Sequence, residues 1–180
     1  AHKNLGITLR DLGQMDEAVK SLNKAISAEP NNVDAHYNLA ITLKDLNQSN
    51  SAIQSYKKAI EIKPDFVQAH NNLGNLYKDL GQTDKALKSY RKAIEIKPNF
   101  AHAHNNLGNT FKDLENYKDA IKSYEKAIAI NPNFSEAHNN LGNVFKDIDE
   151  LDKAVNSYQE AIKLNSDFAE AYYNLGNTYK

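Results

Sequence analysis

Apolar and small residues recur along this chain at the three- and four-residue spacing of an amphipathic helix. The clearest stretch contains Ala69, His70, Leu73, Gly74, Tyr77 and Leu80. After a short turn at 81–84, a second stripe comprises Ala86, Tyr90, Ala93, Ile94 and Ile96. Residues with this spacing lie on one face of a helix. The pattern therefore predicts two helices, each with one buried face, joined by the turn.

The same pair of helices is repeated every 34 residues without a gap. Leucine recurs at this interval as Leu5, Leu39, Leu73, Leu107, Leu141 and Leu175. The heptapeptide AHNNLGN occurs at 69–75, 103–109 and 137–143. Periods of this length are typical of stacked helical hairpins. We therefore predict an all-α fold, an α-solenoid of stacked antiparallel helix hairpins that forms a single array over 1–180. Its repeats are 1–32, 33–66, 67–100, 101–134 and 135–168, and 169–180 is the first helix of a sixth.

Residues with special backbone behaviour mark the junctions between repeats. Proline cannot continue a helix, so each second helix is expected to end before proline 30, 64, 98 or 132. The residues expected to cap the next first helix are Asp65, Asn99, Asn133 and Asp167. The residues expected to seal the junction between repeats are Phe66, Phe100, Phe134 and Phe168.

Glycine occupies two further positions for two different reasons. Gly13 and Gly81 lie in the turn between the two helices, where a positive φ costs glycine little. Gly74 lies inside a helix, where glycine costs about 0.5–1 kcal/mol relative to alanine. We therefore expect two helix backbones to approach closely at Gly74 and its equivalents. The small residues expected on the opposite side are Ala52, Ala86, Ala120 and Ala154.

Composition removes several functional classes. The 180 residues include no cysteine, so disulfides and thiolate metal sites are excluded. The net charge is −1, whereas nucleic-acid-binding domains carry a basic excess. All seven glycines fall at two positions of the repeat, and the sequence contains no phosphate-binding loop or nucleophile motif. We therefore predict no enzyme activity within this chain and no cofactor.

One histidine recurs in each repeat, as His2, His36, His70, His104 and His138. Equivalent residues in stacked repeats lie roughly 10 Å apart, whereas zinc needs ligands about 2.1 Å from the ion. We therefore predict a structural role and no metal. If these rings are buried and neutral, their folded pKa is depressed, and stability falls below about pH 6.5.

A polar surface runs along the first helices, and we call it the asparagine face. Its first row contains Asn38, Asn72, Asn106, Asn140 and Asn174, its second Asn75, Asn109 and Asn143, and its third Asp79, Asp113 and Asp147. At its edge we expect Asn71, Asn105 and Asn139, with Lys78, Lys112 and Lys146. Because the first helices of stacked hairpins line the concave surface, we expect this face to line a groove.

An asparagine amide carries donors and an acceptor, so it can pair with both the N–H and the C=O of an extended peptide. We therefore predict that the asparagine face binds peptide. Three alternatives stay open for the asparagines: recent duplication, a solvated polar face, and hydrogen bonds to the neighbouring repeat. For the aspartates, the competing role is pairing with the nearby lysines.

The 34-residue period, with its Leu-Gly, aromatic, alanine and proline positions, resembles the tetratricopeptide repeat (TPR) over the whole chain. The resemblance implies a right-handed superhelix that acts as a protein-interaction scaffold. One departure is histidine where the family often has tryptophan or another large residue. The unbroken row of asparagines is similar to the TPR arm of O-linked N-acetylglucosamine transferases, which holds extended substrate peptides by their backbone.

Three functions compete for this sequence. The first is a scaffold that binds a protein or extended peptide, and the second is the substrate-recruiting arm of a larger enzyme such as an O-GlcNAc-transferase-like glycosyltransferase. The third, a nucleic-acid reader, conflicts with the charge. The apolar runs are too short for a membrane span, and we expect a cytoplasmic location. We also expect the last helix, with Tyr172, Leu175 and Tyr179, to lack a covering helix and to support self-association.

Overall fold

The computed structural model describes residues 1–179, which form eleven α-helices and no strand. The first helices of the repeats are α1 (His2–Asp11), α3 (Val33–Asp45), α5 (Val67–Asp79), α7 (Ala101–Asp113), α9 (Ser135–Asp147) and α11 (Ala169–Thr178). The second helices are α2 (Met15–Ala28), α4 (Ser49–Ile62), α6 (Thr83–Ile96), α8 (Tyr117–Ile130) and α10 (Leu151–Leu164). The all-α class and the repeated helix pair are confirmed.

The helices belong to two compact units. The first, Ala1–Ile96, contains α1 to α6, and the second begins at Lys97 and contains α7 to α11. Within each unit a first helix packs against its own second helix, and that second helix packs against the next first helix. First helices also contact each other directly, α1 with α3 in one unit and α7 with α9 in the other. Each unit is therefore a stack of helix hairpins, while the single array over 1–180 stays a prediction.

The first helices inside a stack, such as α5 and α9, bury residues beyond the single apolar face that the sequence predicts. Leu76, which the predicted stripe omits, is 2% exposed, while Leu80, which it includes, is 40% exposed. In the second unit the residue equivalent to Leu76 is Val144, and it clusters with Ala120 and Tyr124 of the preceding repeat. The prediction for Leu80 was wrong because α5 ends at Asp79. A lone hairpin buries one face of its first helix, whereas a stacked hairpin also buries the face toward its neighbour.

The mid-helix glycines Gly74, Gly108 and Gly142 face an aromatic ring, whereas Gly6 faces Leu22. A Cβ on Gly108 would lie 2.7 Å from Cε1 of Tyr124, and the equivalent distance for Gly142 and Tyr158 is also 2.7 Å. The tyrosines of this row are among the most buried side chains: Tyr56, Tyr90, Tyr124 and Tyr158. The close approach was predicted, but the alanines expected on the opposite side are not its nearest atoms. The nearest atoms belong to a ring that reaches across from the second helix and fills the space above glycine, so the contact by the alanines stays a prediction.

The junction between repeats is a tight turn, and the predicted helix caps were wrong. The N–H of Phe66 donates to the carbonyl of Lys63 at 3.1 Å, so Pro64 and Asp65 are the central residues of a four-residue turn. The N-cap positions belong to the phenylalanines Phe66, Phe100, Phe134 and Phe168. Proline favours the first central position of such a turn because its ring fixes φ, and Asp or Asn adopts the backbone conformation of the second central position readily. The polar residue therefore shapes the turn and does not cap the helix.

The histidine of each repeat is bonded to the proline of the preceding turn. Nε2 of His36, His70 and His104 lies 2.9 Å from the carbonyl oxygen of the proline six residues earlier. Because a carbonyl only accepts, Nε2 carries the proton in these pairs. Before the sixth repeat, Ser166 replaces proline, and in that repeat Tyr172 replaces histidine. The hydrogen bond between histidine and proline therefore fixes the first turn of the helix that follows the proline.

The turns between first and second helices use a left-handed residue. Gly13 and Gly81 have φ of 76° and 68°, as predicted. The same position holds Asn47, Glu115 and Asp149 in other repeats, with φ of 58°, 56° and 63°. In the first repeat, the N–H groups of Gly13 and Gln14 bond the carbonyls of Arg10 and Leu9, which is the Schellman arrangement. The three non-glycine residues hold a conformation that suits glycine better.

We expect Glu115→Gly to stabilise the protein by about 0.5–1 kcal/mol. A non-glycine residue in the left-handed conformation costs the folded state roughly 1–2 kcal/mol, and glycine removes this cost. Glycine also increases the entropy of the unfolded chain, which lowers stability by about 0.4–1 kcal/mol, so the net change is stabilising. Urea denaturation followed by circular dichroism measures the change. Gly81→Ala, the reverse change at the equivalent position, should destabilise, and a loss of stability in Glu115→Gly would contradict this assignment of strain.

We expect Gly108→Ala to destabilise the protein by about 1–3 kcal/mol, the usual cost of overpacking. The new methyl group would meet the Tyr124 ring at 2.7 Å, and the ring has no exposed surface into which to move. Gly176→Ala is the matched control, because nothing lies within 4 Å of its Cβ position. That control should be neutral or slightly stabilising, and equal effects of the two changes would count against steric packing as the cause.

Stability is expected to depend on the protonation of His104. Burial lowers the pKa of its ring, the hydrogen bond to the Pro98 carbonyl opposes this, and the nearby Lys126 adds to it. Because the folded pKa is depressed, the stability contribution is complete above the unfolded pKa of about 6.5 and is lost as pH falls below it. Melting temperatures at pH 7.5, 6.5 and 5.5 should fall less in His104→Gln than in the parent protein. The same decrease in both proteins would show that another group is responsible.

Candidate functional site

The asparagine face is accessible to a ligand in both units. The first-row residues Asn38, Asn72, Asn106, Asn140 and Asn174 and the second-row residues Asn75, Asn109 and Asn143 are partly exposed, and Asp79, Asp113 and Asp147 are exposed. In the first unit a hollow of about 150 Å³ opens on this face, lined by Ile41, Lys44, Asp45, Tyr56, Asn72 and Asn75. The predicted residues therefore share one surface within each unit.

A ladder of side-chain hydrogen bonds joins the first-row asparagines to the preceding repeat. Nδ2 of Asn140 donates to Oδ1 of Asn105 at 3.1 Å, and Nδ2 of Asn174 donates to Oδ1 of Asn139 at 3.1 Å. In the first unit Nδ2 of Asn72 donates to the Tyr37 hydroxyl at 2.8 Å. In each case the partner lies 35 residues earlier, so neighbouring first helices are offset by one residue beyond the repeat. This geometry supports the alternative in which the row bonds its neighbouring repeat.

The asparagines expected at the edge of the face are buried instead. Asn71 and Asn105 are 7% exposed, and Asn139 is 1% exposed. Asn139 accepts from Asn174 and donates to Oε1 of Glu170 at 3.0 Å. The edge prediction was wrong for Asn105 and Asn139 because they bond residues of the next repeat, which a single-helix projection does not include. Their hydrogen bonds make the burial of polar amides tolerable.

The second-row asparagines accept a hydrogen bond from a buried tyrosine of their own repeat. The hydroxyls of Tyr90, Tyr124 and Tyr158 donate to Oδ1 of Asn75, Asn109 and Asn143 at 2.8, 2.6 and 2.8 Å. A buried tyrosine hydroxyl needs such a partner. Burial, reinforced by Asp147 and Glu170, raises the pKa of Tyr158 to about 12, and burial also raises the pKa of Tyr124. These hydroxyls therefore keep their protons at neutral pH and remain donors.

The internal hydrogen bonds leave a donor and an acceptor on the face. Oδ1 of Asn75 and Asn109 is occupied, but their Nδ2 groups bond no other described residue. Nδ2 of Asn140 is occupied, but its Oδ1 accepts no hydrogen bond from residues 1–179. One repeat later, the residues equivalent to Asn109 and Asn140 lie 3.0 Å apart, from Asn143 Oδ1 to Asn174 Nδ2. Unused donors and acceptors therefore lie close together on adjacent repeats.

The aspartate row pairs with lysines of the preceding repeat, again with an offset of 35 residues. Nζ of Lys44 lies 3.4 Å from Oδ2 of Asp79, and Nζ of Lys112 lies 3.7 Å from Oδ2 of Asp147. All four side chains are more than 30% exposed. Exposed pairs contribute about 0–1 kcal/mol, so a ligand could displace them at little cost. Asp79 and Asp147 therefore pair with lysines, which is the alternative to peptide binding that the sequence left open.

Two participants in these networks were not predicted. Tyr37 occupies the position of Asn71 one repeat earlier, and its ring lies 4.8 Å from that of Phe66. Arg10 donates from Nη1 to Oδ1 of Asn38 at 3.2 Å. Both residues depart from the repeat consensus, and departures at face positions are the signal that could have identified them.

No cluster of three or more His, Asp or Glu side chains within residues 1–179 is arranged to hold a metal ion. In the same range no helix has the length and apolarity needed to cross a bilayer. The face is built from amides, carboxylates and lysines, which hold a ligand by hydrogen bonds and charge.

Comparison with known proteins shows the family. A model of the TPR repeat matches residues 6–47, 42–81, 74–114, 108–149 and 142–180. The comparison with curated proteins gives no match. These matches to the repeat model extend over nearly all of the chain.

Solved structures of TPR proteins share this fold. MamA is 28% identical with a TM-score of 0.80, and the match covers 92% of this chain and 96% of MamA. TTC0263, a thermophilic TPR protein of Thermus thermophilus, is 22% identical with a TM-score of 0.77 and coverage of 99% and 97%. YrrB, a TPR protein described as having an unusual peptide-binding site, is 19% identical with a TM-score of 0.74 and coverage of 96% and 89%. This chain belongs to the tetratricopeptide repeat family.

Proposed function

We propose that this chain binds an extended segment of a partner protein along the asparagine face. Its repeats belong to a family that is typical of protein–protein interaction scaffolds. The observation that carries the proposal is the unused hydrogen-bonding capacity of the face: Nδ2 of Asn75 and Asn109 and Oδ1 of Asn140. An extended backbone presents C=O and N–H groups in alternation, and these groups match a donor beside an acceptor.

The internal bonds of the asparagines also support the proposal, because they fix the amides before a ligand arrives. Asn109 is held by the Tyr124 hydroxyl at 2.6 Å, and Asn140 is held by Asn105 at 3.1 Å. A side chain that is already oriented loses less conformational entropy on binding. Each hydrogen bond to the ligand contributes about 0.5–1.5 kcal/mol net. Several such bonds give modest affinity that depends little on the ligand's side chains.

The test needs a substitution that removes the unused donor and keeps the internal acceptor. Asn75→Asp and Asn109→Asp do this, because a carboxylate oxygen still accepts from the tyrosine hydroxyl while Nδ2 is lost. Alanine substitution is less informative, since it also leaves a buried hydroxyl unpaired, at about 1–3 kcal/mol. Asn156→Asp is the matched control, because it adds the same charge at an exposed position on the second helix α10.

We expect the double variant Asn75→Asp/Asn109→Asp to bind peptide at least fivefold more weakly, which corresponds to losing one or two hydrogen bonds. The probe is a fluorescein-labelled peptide selected on the parent protein from a random display library, and the readout is fluorescence anisotropy. Replacing single peptide amides by esters should weaken binding to the parent protein. Melting temperatures of all variants establish that they fold.

Two results would contradict the proposal. One is an affinity that falls no further in the double variant than in the Asn156→Asp control. The other is a peptide whose affinity depends on its side chains and not on its backbone N–H groups.

A further inference from the structure

A second surface in the first unit departs from the repeat. A hollow of about 350 Å³ is lined by the second helices α4 and α6 and by the first helix α5, and none of its lining residues belongs to the asparagine face. Its lining includes four lysines, namely Lys57, Lys85, Lys88 and Lys92, and its apolar part consists of Ile60, Leu73 and Tyr77. No acidic residue lines it. A concave site of this size with an apolar floor and a charged rim is typical of a ligand-binding surface.

The repeat does not fix these lysines, although the next repeat keeps much of the positive charge, with Arg91, Asp119, Lys122 and Lys126 at the equivalent positions. Two repeats later the four equivalent positions hold Glu125, Lys153, Asn156 and Glu160, and one repeat earlier they hold Asn23, Ser51, Gln54 and Lys58. The whole chain has a net charge of −1. The floor, in contrast, is kept two repeats later as Ile128, Leu141 and Phe145. A set of four lysines without an acidic member therefore occurs only at this hollow among the repeats compared, and it is separate from the packing that every repeat needs.

Three of these lysines, Lys57, Lys85 and Lys88, lack a countercharge among the described residues. Lys92 pairs with Glu95 at 2.7 Å, and Lys85 bonds Gln82 and lies 5.5 Å above the Tyr77 ring. Lys57 and Lys88 are exposed, and neither forms an ion pair with another residue in the described range. Four like charges around one hollow repel each other, and a ligand with negative charge would relieve this repulsion.

We propose that this lysine-rimmed hollow binds an acidic segment of a partner protein that inserts an apolar side chain between the lysines. Charge complementarity selects the acidic residues, and the floor of Ile60, Leu73 and Tyr77 selects the apolar side chain. A nucleic acid fits less well, because Tyr77 is 7% exposed and offers no open ring for base stacking. The apolar floor also offers no charge to a phosphate backbone. The site lies on α4 and α6, so a partner could occupy it together with the asparagine face of the same unit.

Binding is measured with a fluorescein-labelled peptide of sequence EEDLFEDE in 50 mM salt, by fluorescence anisotropy. We expect Lys57→Glu/Lys88→Glu to weaken binding by at least tenfold, because each reversal replaces an attraction by a repulsion. Raising the salt to 200 mM should weaken binding to the parent protein through screening. Replacing Leu and Phe of the peptide by Ser should weaken it further, and this loss should persist at high salt.

The matched control is Lys20→Glu/Lys24→Glu, which makes the same charge change on exposed positions of α2 in the same unit. It should bind the acidic peptide within twofold of the parent protein. The Asn75→Asp/Asn109→Asp variant should also bind it normally, which separates this site from the asparagine face. Circular dichroism melts show that each variant folds.

Three results would overturn the proposal. The first is no binding of the acidic peptide by the parent protein at 50 mM salt. The second is equal loss in the hollow variant and the α2 control, which would indicate general charge attraction. The third is tighter binding of oligo-dT or of phosphatidylserine vesicles than of the peptide, lost in Lys57→Glu/Lys88→Glu, which would assign the hollow to a phosphate-bearing ligand.

Discussion

The buried tyrosine of the second helices α4, α6, α8 and α10 is the contact on which these repeats depend. The Tyr124 ring lies against the backbone of Gly108, at a distance that leaves no room for a Cβ, and its hydroxyl donates to Asn109. The ring therefore sets the separation of the two helices, and the hydroxyl fixes a side chain at the protein surface. Because a buried hydroxyl without a partner destabilises the fold, core packing and the orientation of the surface asparagine are coupled.

The second repeat shows how this coupling works when one member changes. Alanine replaces glycine at Ala40, and Ile41 replaces the asparagine that would accept the tyrosine hydroxyl. Tyr56 remains 1% exposed, and its ring makes an edge contact with Tyr37 at 5.9 Å. The Tyr56 hydroxyl bonds Asn72 of the following repeat instead. The buried hydroxyl therefore keeps an amide partner although its own repeat no longer supplies one.

The asparagines serve two purposes on one surface. Hydrogen bonds such as that from Asn140 to Asn105 bind neighbouring repeats, and those from tyrosine to Asn109 bind helix to helix. Each amide has more hydrogen-bonding capacity than these contacts consume, and the remainder faces outward. An array that stabilises itself in this way presents oriented polar groups without burying an unpaired one. The lysine-rimmed hollow differs in origin, because its residues depart from the period while the floor beneath them follows it.

The amino-acid sequence by itself determined the helices, the repeat length and the family. Amphipathic spacing and the recurrence of leucine, glycine and proline are local or periodic, and a 34-residue hairpin needs no further information. It also identified the left-handed turn at Gly81 and the surface that Asn72 and Asn75 share. The tertiary structure alone decided which polar groups are satisfied. Asn139 became buried, Asp65 became a turn residue and Leu80 became exposed, because each outcome depends on the neighbouring repeat or on where the helix ends. Hydrogen bonds between residues 35 apart follow from the one-residue offset between stacked helices, and that offset is a property of packing.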